Sequence, residues 1–232
     1  NTGQDGGIQG ADISAETAWE TTTGGKTANG DTIVVCIVDD GTNYEHEDLA
    51  ANIWFNSKEI PGNNIDDDGN GYIDDVHGWN FQYNDSNVNE GGHGVKVNGM
   101  IGAVGNNGIG VSGINWNVKM MNVVYAGTEE SSVIESYDYP LQSRILYNNT
   151  NGSEGAFVVS VNSSWGIDYG KPADAPIWCN FYDVMGAAGI LSVAATSNSN
   201  VNVDVDGDLP TGCTSPYLIS VGRTNNKDAY AA

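Results

Sequence analysis

Basic residues and long apolar runs are both scarce in this chain of 232 residues. Lysine and arginine total 8 against 30 aspartate and glutamate residues, which gives a formal net charge of -22. A polyanion of this kind is repelled by nucleic acid and by anionic lipid. No apolar run approaches the roughly 20 residues that a membrane-spanning helix needs. We therefore expect no nucleic-acid partner and no membrane span.

Cysteine is scarce as well, with three residues in the sequence. Three are too few for a disulfide scaffold. Cys36 lies inside an apolar run and is typical of a small buried hydrophobic residue, whereas Cys179 and Cys213 have polar, loop-like neighbours. We expect one disulfide between Cys179 and Cys213, with Cys36 free. This pairing favours an oxidising compartment, so we expect a secreted or extracytoplasmic protein.

Apolar strand-like runs alternate with helix-like stretches along the chain. The predicted strands cover residues 32–38, 118–125, 156–161, 190–195 and 217–221. The predicted helices cover residues 14–21, 93–104, 131–147 (interrupted by Pro140) and 176–189. This alternation predicts βαβ units, hence an α/β fold with a doubly wound, mostly parallel sheet and helices on both faces. We expect one domain over 1–232, with 1–30 as an N-terminal arm and helix.

The acidic stretch from 66 to 75, DDDGNGYIDD, carries oxygen side chains at alternate positions. Such a pattern lets several oxygens converge on one hard cation, and packed carboxylates repel one another without one. A solvated acidic turn is the alternative interpretation. His77 occupies the position of the closing glutamate of an EF-hand, so the stretch is not an EF-hand. We expect residues 62–78 to form an inserted calcium-binding loop, with these ligands: Asp66, Asp68, Asn70, the Tyr72 carbonyl, Asp74 and Asp75.

Three polar residues stand at the ends or beginnings of predicted elements. Asp39 ends the first strand, His93 opens a helix after two glycines, and Asn198 follows the fourth strand. A hydrolase that works by nucleophilic attack needs a base, an orienting carboxylate and an oxyanion donor. Taken singly, each of the three is as readily a surface residue.

Four segments together resemble the subtilisin-like serine proteases, or subtilases. Residues 38–41 (VDDG), followed by 46–49 (HEDL), resemble the family's D-S/T-G and H-P-D-L motifs; residues 93–99 (HGVKVNG) resemble H-G-T-H-V-A-G. Residues 164–166 (SWG) match the segment that pairs with substrate, and residues 193–198 (VAATSN) resemble V-A-A-A-G-N. The resemblance implies Asp39 and His93 as catalytic residues, Asn198 as oxyanion donor, and Ser164, Trp165 and Gly166 as substrate-binding residues.

The resemblance also implies a second calcium site around Asp48. In the family this aspartate joins a loop that follows the helix of the catalytic histidine, here residues 105–111. The implied ligands are Asp48, Gly105, Asn107, Ile109, Val111 and Gln4 of the N-terminal arm. A glycine-rich turn without a metal is the alternative.

The sequence departs from the family pattern at several positions. Asp40 replaces Ser or Thr, which places a second carboxylate beside Asp39. Val95, Lys96 and Asn98 alter the histidine motif. No G-T-S, the family's nucleophile motif, occurs in the sequence. We therefore expect a domain incomplete at its C-terminus, with a C-terminal fragment of the same precursor, separated by a nick, as the expected carrier of the serine. A continuous chain that extends beyond the given residues and a truncated, inactive homologue are the alternatives.

The sequence thus predicts a secreted, calcium-stabilised serine endopeptidase that hydrolyses peptide or protein substrates through an Asp-His-Ser triad. One alternative is a catalytically inactive subtilase-like module that binds peptides or partners. A third is a calcium-binding scaffold unrelated to proteases, which requires Asp39 and His93 to lie far apart.

Overall fold

A computed structural model describes residues 2–229 of the chain. Its strands are β1 (Val34–Asp39), β2 (Gly78–Asn80), β3 (Lys119–Val124), β4 (Val158–Ser163), β5 (Ile167–Asp168), β6 (Leu191–Ala195), β7 (Asp208–Leu209) and β8 (Leu218–Val221). Its helices are α1 (Ala15–Trp19), α2 (Gly94–Gly102), α3 (Glu130–Asn149), α4 (Pro176–Ala187) and α5 (Val203–Asp206). Single 3-10 turns occupy Gln4–Gly6, Ala50–Asn52 and Pro172–Asp174.

Six of the strands form one sheet in the order β2-β3-β1-β4-β6-β8. Every pairing in this sheet is parallel. β5 and β7 form a separate antiparallel pair. Because β1, β4 and β6 are adjacent and parallel, the residues that follow all three emerge at the same edge of the sheet, where open α/β sheets bind ligands.

Apolar side chains cover both faces of the sheet. Val34, Cys36 and Val38 of β1 belong to a large core that includes residues of α3 and α4. Ile37, which points to the other face, belongs to a smaller core packed by residues of α2. This alternation along one strand is what helices on both faces require. The α/β fold predicted from the sequence is confirmed.

The structure differs from the predicted elements at several places. α3 continues through Pro140 and is not interrupted there. Proline removes one hydrogen bond from a helix, but Pro140 and its neighbours Tyr139 and Leu141 are buried, so packing holds the helix together. The two-residue strands β5 and β7, the three-residue β2 and the four-residue α5 were not predicted, because segments so short carry no periodicity.

The described residues contain no helix that is both long and apolar enough to cross a membrane.

Candidate active site

Asp39, the last residue of β1, contacts the imidazole of His93, the residue before α2. Nδ1 of His93 lies 2.7 Å from Oδ1 of Asp39. Burial raises the pKa of the Asp39 carboxyl, although the bonds from His93 and from the Asp40 backbone act in the opposite direction. More than half of the His93 side chain is exposed. A buried carboxylate thus fixes one imidazole nitrogen and leaves the rest of the ring accessible, as a general base requires.

This contact excludes one of the three functions that the sequence allows, the calcium-binding scaffold unrelated to proteases. A calcium scaffold unrelated to proteases requires Asp39 and His93 to be well separated. At 2.7 Å they are within hydrogen-bond distance, so that reading is wrong.

Asp40 binds the main chain that carries His93. Its Oδ2 accepts the backbone N–H groups of Gly92 and His93, both at 3.1 Å, and its Oδ1 accepts that of Gly94 at 2.6 Å. Burial acts to raise the pKa of Asp40, but these three donors outweigh it and the pKa is lowered. The carboxylate that departs from the family motif therefore caps the start of α2.

Ser164, Trp165 and Gly166 follow β4 and lie next to Asp39. The Trp165 indole donates to the carbonyl of Val38 at 2.7 Å, and its ring stacks on Tyr125 with centroids 4.4 Å apart. Asn198 is exposed on the loop after β6. Asn198 and the Ser164–Gly166 segment line one cavity of about 340 Å³. The structure thus brings the predicted oxyanion donor and substrate segment together.

The same cavity contains an acid that the sequence analysis missed. Asp208 in β7 is fully buried and lines the cavity together with Asp168. No family motif covers Asp208, and β7 is too short to be recognised from its pattern. The clustering of acids between 204 and 208 was the only available signal.

The acidic loop gathers three carboxylates, one of which the sequence analysis also missed. Oxygens of Glu59, Asp68 and Asp75 lie within 4.8 Å of one another. Glu59 and Asp75 are buried. Burial raises the pKa of Asp75 to about 6, against hydrogen bonds from Tyr139, Asn70 and Asn56. Glu59 approaches through the fold of residues 59–68, which a pattern confined to 66–75 does not reveal.

The other expected ligands of this loop are arranged differently. The carboxylate of Asp66 accepts the N–H groups of residues 69–71. That of Asp74 accepts the N–H groups of residues 62–64, so it stabilises the loop backbone instead of joining the three acids. Asn70 donates to Asp75 at 2.9 Å. The Tyr72 ring packs on Trp79 and Tyr139.

The predicted second loop does approach Asp48. Oδ1 of Asp48 accepts the Asn107 amide and Oδ2 accepts the Val111 N–H, both at 2.8 Å. The Asn107 side-chain oxygen accepts the N–H of Ile109 at 3.0 Å. Gln4 is arranged differently from the expectation, since its side-chain oxygen accepts from Thr2.

Cys179 and Cys213 form a disulfide, and Cys36 is a buried free thiol. The disulfide links α4 to the segment that follows β7, and thereby ties Asp208 to the main body of the fold.

The chain is similar in sequence to known proteases. A sequence model of the subtilase family matches residues 30–232. Subtilisin-like protease 1 of Plasmodium falciparum (isolate 3D7) is 45% identical over 89 residues, or 38% of this chain and 13% of that protein. Neuroendocrine convertase 2 of Homo sapiens is 32% identical over 177 residues, or 76% of this chain and 23% of that protein. The chain therefore spans less than a quarter of the length of these curated relatives.

Solved structures share the fold. A protease from Pseudoalteromonas arctica PAMC 21717 superposes with a TM-score of 0.62 at 21% identity, covering 92% of this chain and 61% of that one. The epidermin leader peptide processing serine protease of Staphylococcus aureus superposes with a TM-score of 0.59 at 20% identity, covering 93% of this chain and 50% of that one. At such identities the likeness establishes the fold alone.

Proposed function

The chain belongs to the subtilase family, and from that membership we propose that it supplies the acid–base pair and the oxyanion donor of a serine endopeptidase. The contact that carries the proposal is the 2.7 Å approach of His93 Nδ1 to Asp39 Oδ1. Asp39 holds the imidazole tautomer and stabilises the imidazolium that forms when the ring takes a proton. The nucleophilic serine comes from a segment of the same precursor outside the 232 residues.

His93 accepts the proton of that serine through Nε2, the nitrogen that Asp39 does not engage. The side-chain amide of Asn198 donates to the oxyanion of the tetrahedral intermediate, a role whose loss typically costs about 10²–10³ in turnover. The peptide lies as an added strand beside Ser164–Gly166. The stacking of Trp165 on Tyr125 and its bond to Val38 support this role, because they hold the segment rigidly next to Asp39.

We propose calcium as the stabilising ion. Glu59, Asp68 and Asp75 offer hard oxygen donors of the kind that calcium prefers, and three close carboxylates repel one another until a cation binds. Calcium there would neutralise the buried charge and fix residues 62–78 against the sheet. Calcium at Asp48 stays a prediction from the resemblance. The Asn107 side chain lies at Asp48, but its amide N–H faces the carboxylate and its oxygen accepts from Ile109, so its oxygen would have to turn to bind the ion.

A secreted or extracytoplasmic location fits the disulfide and the net charge of the chain best. The Cys179–Cys213 disulfide persists in an oxidising environment, and a net charge of -22 favours solubility outside the cell.

A fluorophosphonate probe applied to the native source material tests the proteolytic function. We expect the probe to label a serine on a polypeptide that co-purifies with this chain or continues it. Asp39→Asn should abolish labelling, whereas Glu47→Gln, which removes an exposed charge outside the site, should leave it intact.

The second candidate is a module that binds peptides without cleaving them. The altered histidine motif, with Val95, Lys96 and Asn98, favours it. Absence of labelling in material that still binds peptide would establish this candidate and exclude the protease.

A further inference from the structure

The cavity of about 340 Å³ lies where β4 and β6 end. One side is lined by Ser164–Gly166, the proposed peptide-binding segment, and another by residues 195–198, which include the proposed oxyanion donor. β4 and β6 are neighbours in the sheet, so these two linings emerge side by side. A side chain of a peptide bound along Ser164–Gly166 and adjacent to Asn198 therefore has this cavity next to it.

Asp208 is a buried acid in the lining of this cavity, and one of its two oxygens lacks a hydrogen-bond partner among the described residues. It is 0% exposed. Oδ2 accepts the hydroxyl of Thr211, but Oδ1 has no hydrogen-bond partner within residues 2–229. Burial raises the pKa of this carboxyl, and the Asp168 charge adds to that effect, whereas the Thr211 hydroxyl and the nearby backbone N–H of Ser197 lower the pKa. The Ser197 N–H does not reach hydrogen-bond geometry with Oδ1. A buried carboxylate oxygen without a donor is costly, and a donor group on a bound molecule would remove that cost.

A second acid lies directly opposite Asp208. In the antiparallel β5–β7 pair, Asp168 and Asp208 are register partners. Like charges directly opposite each other destabilise a strand pair. Asp168 is exposed at the rim of the cavity, whereas Asp208 is buried within it. The two carboxylates together give the cavity a negative potential.

Two basic residues near this cavity, Lys171 and Arg223, donate hydrogen bonds to main-chain oxygens of the described residues. Lys171 Nζ donates to the carbonyls of Val205 and Asp206, at 3.0 and 2.6 Å. A guanidinium nitrogen of Arg223 donates to the carbonyl of Asn198 at 3.4 Å. None of these three hydrogen bonds involves the Asp208 carboxylate.

We propose that this cavity receives a cationic side chain, lysine or arginine, of a bound peptide, with Asp208 as its buried counter-ion and Asp168 as a second acid at the rim. The inference rests on the proposed peptide-binding function and specifies which residue the site selects. The ammonium or guanidinium group donates to Oδ1 of Asp208, which satisfies the open acceptor. The backbone of the same residue lies at Ser164–Gly166, so the selected residue is the one beside the oxyanion donor.

Calorimetric titration of the unaltered chain tests the proposal. The probes are acetylated tetrapeptides with arginine or the isosteric neutral citrulline as the last residue. A third peptide carries the arginine first and citrulline last, so its net charge equals that of the first. At about 0.15 M salt, where long-range attraction is screened, we expect the peptide ending in arginine to bind about tenfold to hundredfold more tightly than either other peptide.

The variant Asp208→Asn should remove this preference, so that the arginine and citrulline peptides bind with equal affinity. Asp204→Asn, which removes the same charge four residues away and outside the cavity lining, should retain it. If Asp208→Asn fails to fold, the three-peptide comparison on the unaltered chain decides alone.

Equal affinity for the three peptides would overturn the proposal while leaving the peptide-binding function in place. No binding of any of them would overturn both. Equal, stronger binding of both arginine peptides would also overturn it, because it would show attraction to net charge alone. A last outcome is that the unaltered chain shows no arginine preference but binds calcium, and that Asp208→Asn abolishes this binding. The cavity would then hold a metal ion and not a peptide side chain.

Discussion

The carboxylate of Asp40 accepts the backbone N–H of His93 at 3.1 Å. The preceding residue, Asp39, contacts the side chain of the same histidine. Two consecutive acids at the end of β1 therefore hold His93 by its main chain and by its ring. The family motif has Ser or Thr at position 40, and the hydroxyl of such a residue offers fewer acceptor positions than a carboxylate that takes three N–H groups.

Asp40→Asn should destabilise the fold in a pH-dependent way. The substitution removes charge-assisted hydrogen bonds to the backbone of residues 92–94. We expect this loss to lower the free energy of unfolding at pH 7 by roughly 1–3 kcal/mol. The pKa of Asp40 in the folded state lies below its ordinary value of 3.8. Its stabilising contribution is therefore complete above the unfolded pKa and is lost as the pH falls through the lower folded pKa.

Denaturant unfolding at pH 7, 5 and 3 measures this effect. The difference between the unaltered chain and Asp40→Asn should be similar at the two higher pH values and smaller at pH 3. Glu47→Gln should show little difference throughout, because Glu47 is exposed and makes no side-chain hydrogen bond within residues 2–229. A difference for Asp40→Asn that does not change with pH would contradict the capping role.

Asp39→Asn should remove the hydrogen bond that fixes the His93 tautomer. A proton shared over 2.7 Å between Nδ1 and a buried carboxylate gives a far-downfield NMR resonance, and we expect one in this chain. The resonance should vanish in Asp39→Asn and persist in Glu47→Gln. In proteolytically active material, Asp39→Asn should lower kcat by about 10⁴, the effect expected when the tautomer is wrong. A resonance that survives Asp39→Asn would assign it to another group.

Removal of calcium should lower the melting temperature, because an ion bound only by the folded state stabilises it by mass action. With calcium at 100 times its dissociation constant, the stabilisation is about 2.7 kcal/mol. Glu59→Gln should reduce the calcium-dependent shift, since it removes one of three clustered carboxylates.

The matched control for Glu59→Gln is Glu45→Gln, an exposed acid outside the cluster. Scanning calorimetry with calcium and with chelator compares the two variants. Identical melting curves in calcium and chelator for the unaltered chain would exclude a stabilising calcium ion, and a full shift in Glu59→Gln would exclude Glu59 as a ligand.

The elements that the sequence predicts well are those with long apolar runs. β1, β3, β4, β6 and β8 were placed to within two residues or so, because each is an apolar run bounded by polar residues. Asp39 and His93 were identified because they lie in local motifs that resemble a family. Their contact joins residues 54 apart, which the resemblance implied and no local pattern shows.

The residues that sequence reasoning missed depend on non-local pairing. Asp208 enters the cavity because β7 pairs with β5, some 40 residues earlier, and each strand has only two residues. Glu59 joins Asp68 and Asp75 because its carboxylate accepts N–H groups of residues 67, 68 and 74. In both cases the position of the acid is set by backbone hydrogen bonds, which leave no periodic signal in the sequence.

Gly94 sets how closely the helix of His93 approaches β1. A Cβ at this position would lie 2.1 Å from the carbonyl oxygen of Gly41 and 3.2 Å from Cβ of Asp39. Since the obstruction at Gly41 is backbone, Gly94→Ala should push α2 away from β1 and lengthen the contact between Asp39 and His93. We expect a loss of roughly 1–3 kcal/mol in unfolding free energy and a weaker or absent downfield resonance.

Gly92→Ala provides a control two residues away. A Cβ there meets nothing within 4 Å, so the variant should fold with nearly unchanged stability and keep the resonance. If both alanine variants lose the same stability and resonance, the cause is the reduced flexibility of the chain at the start of α2. The close approach of Gly94 to Gly41 would then not be the cause. A stable Gly94→Ala with the resonance intact would show that α2 shifts without disturbing the pair, and that Asp40 alone holds His93 in place.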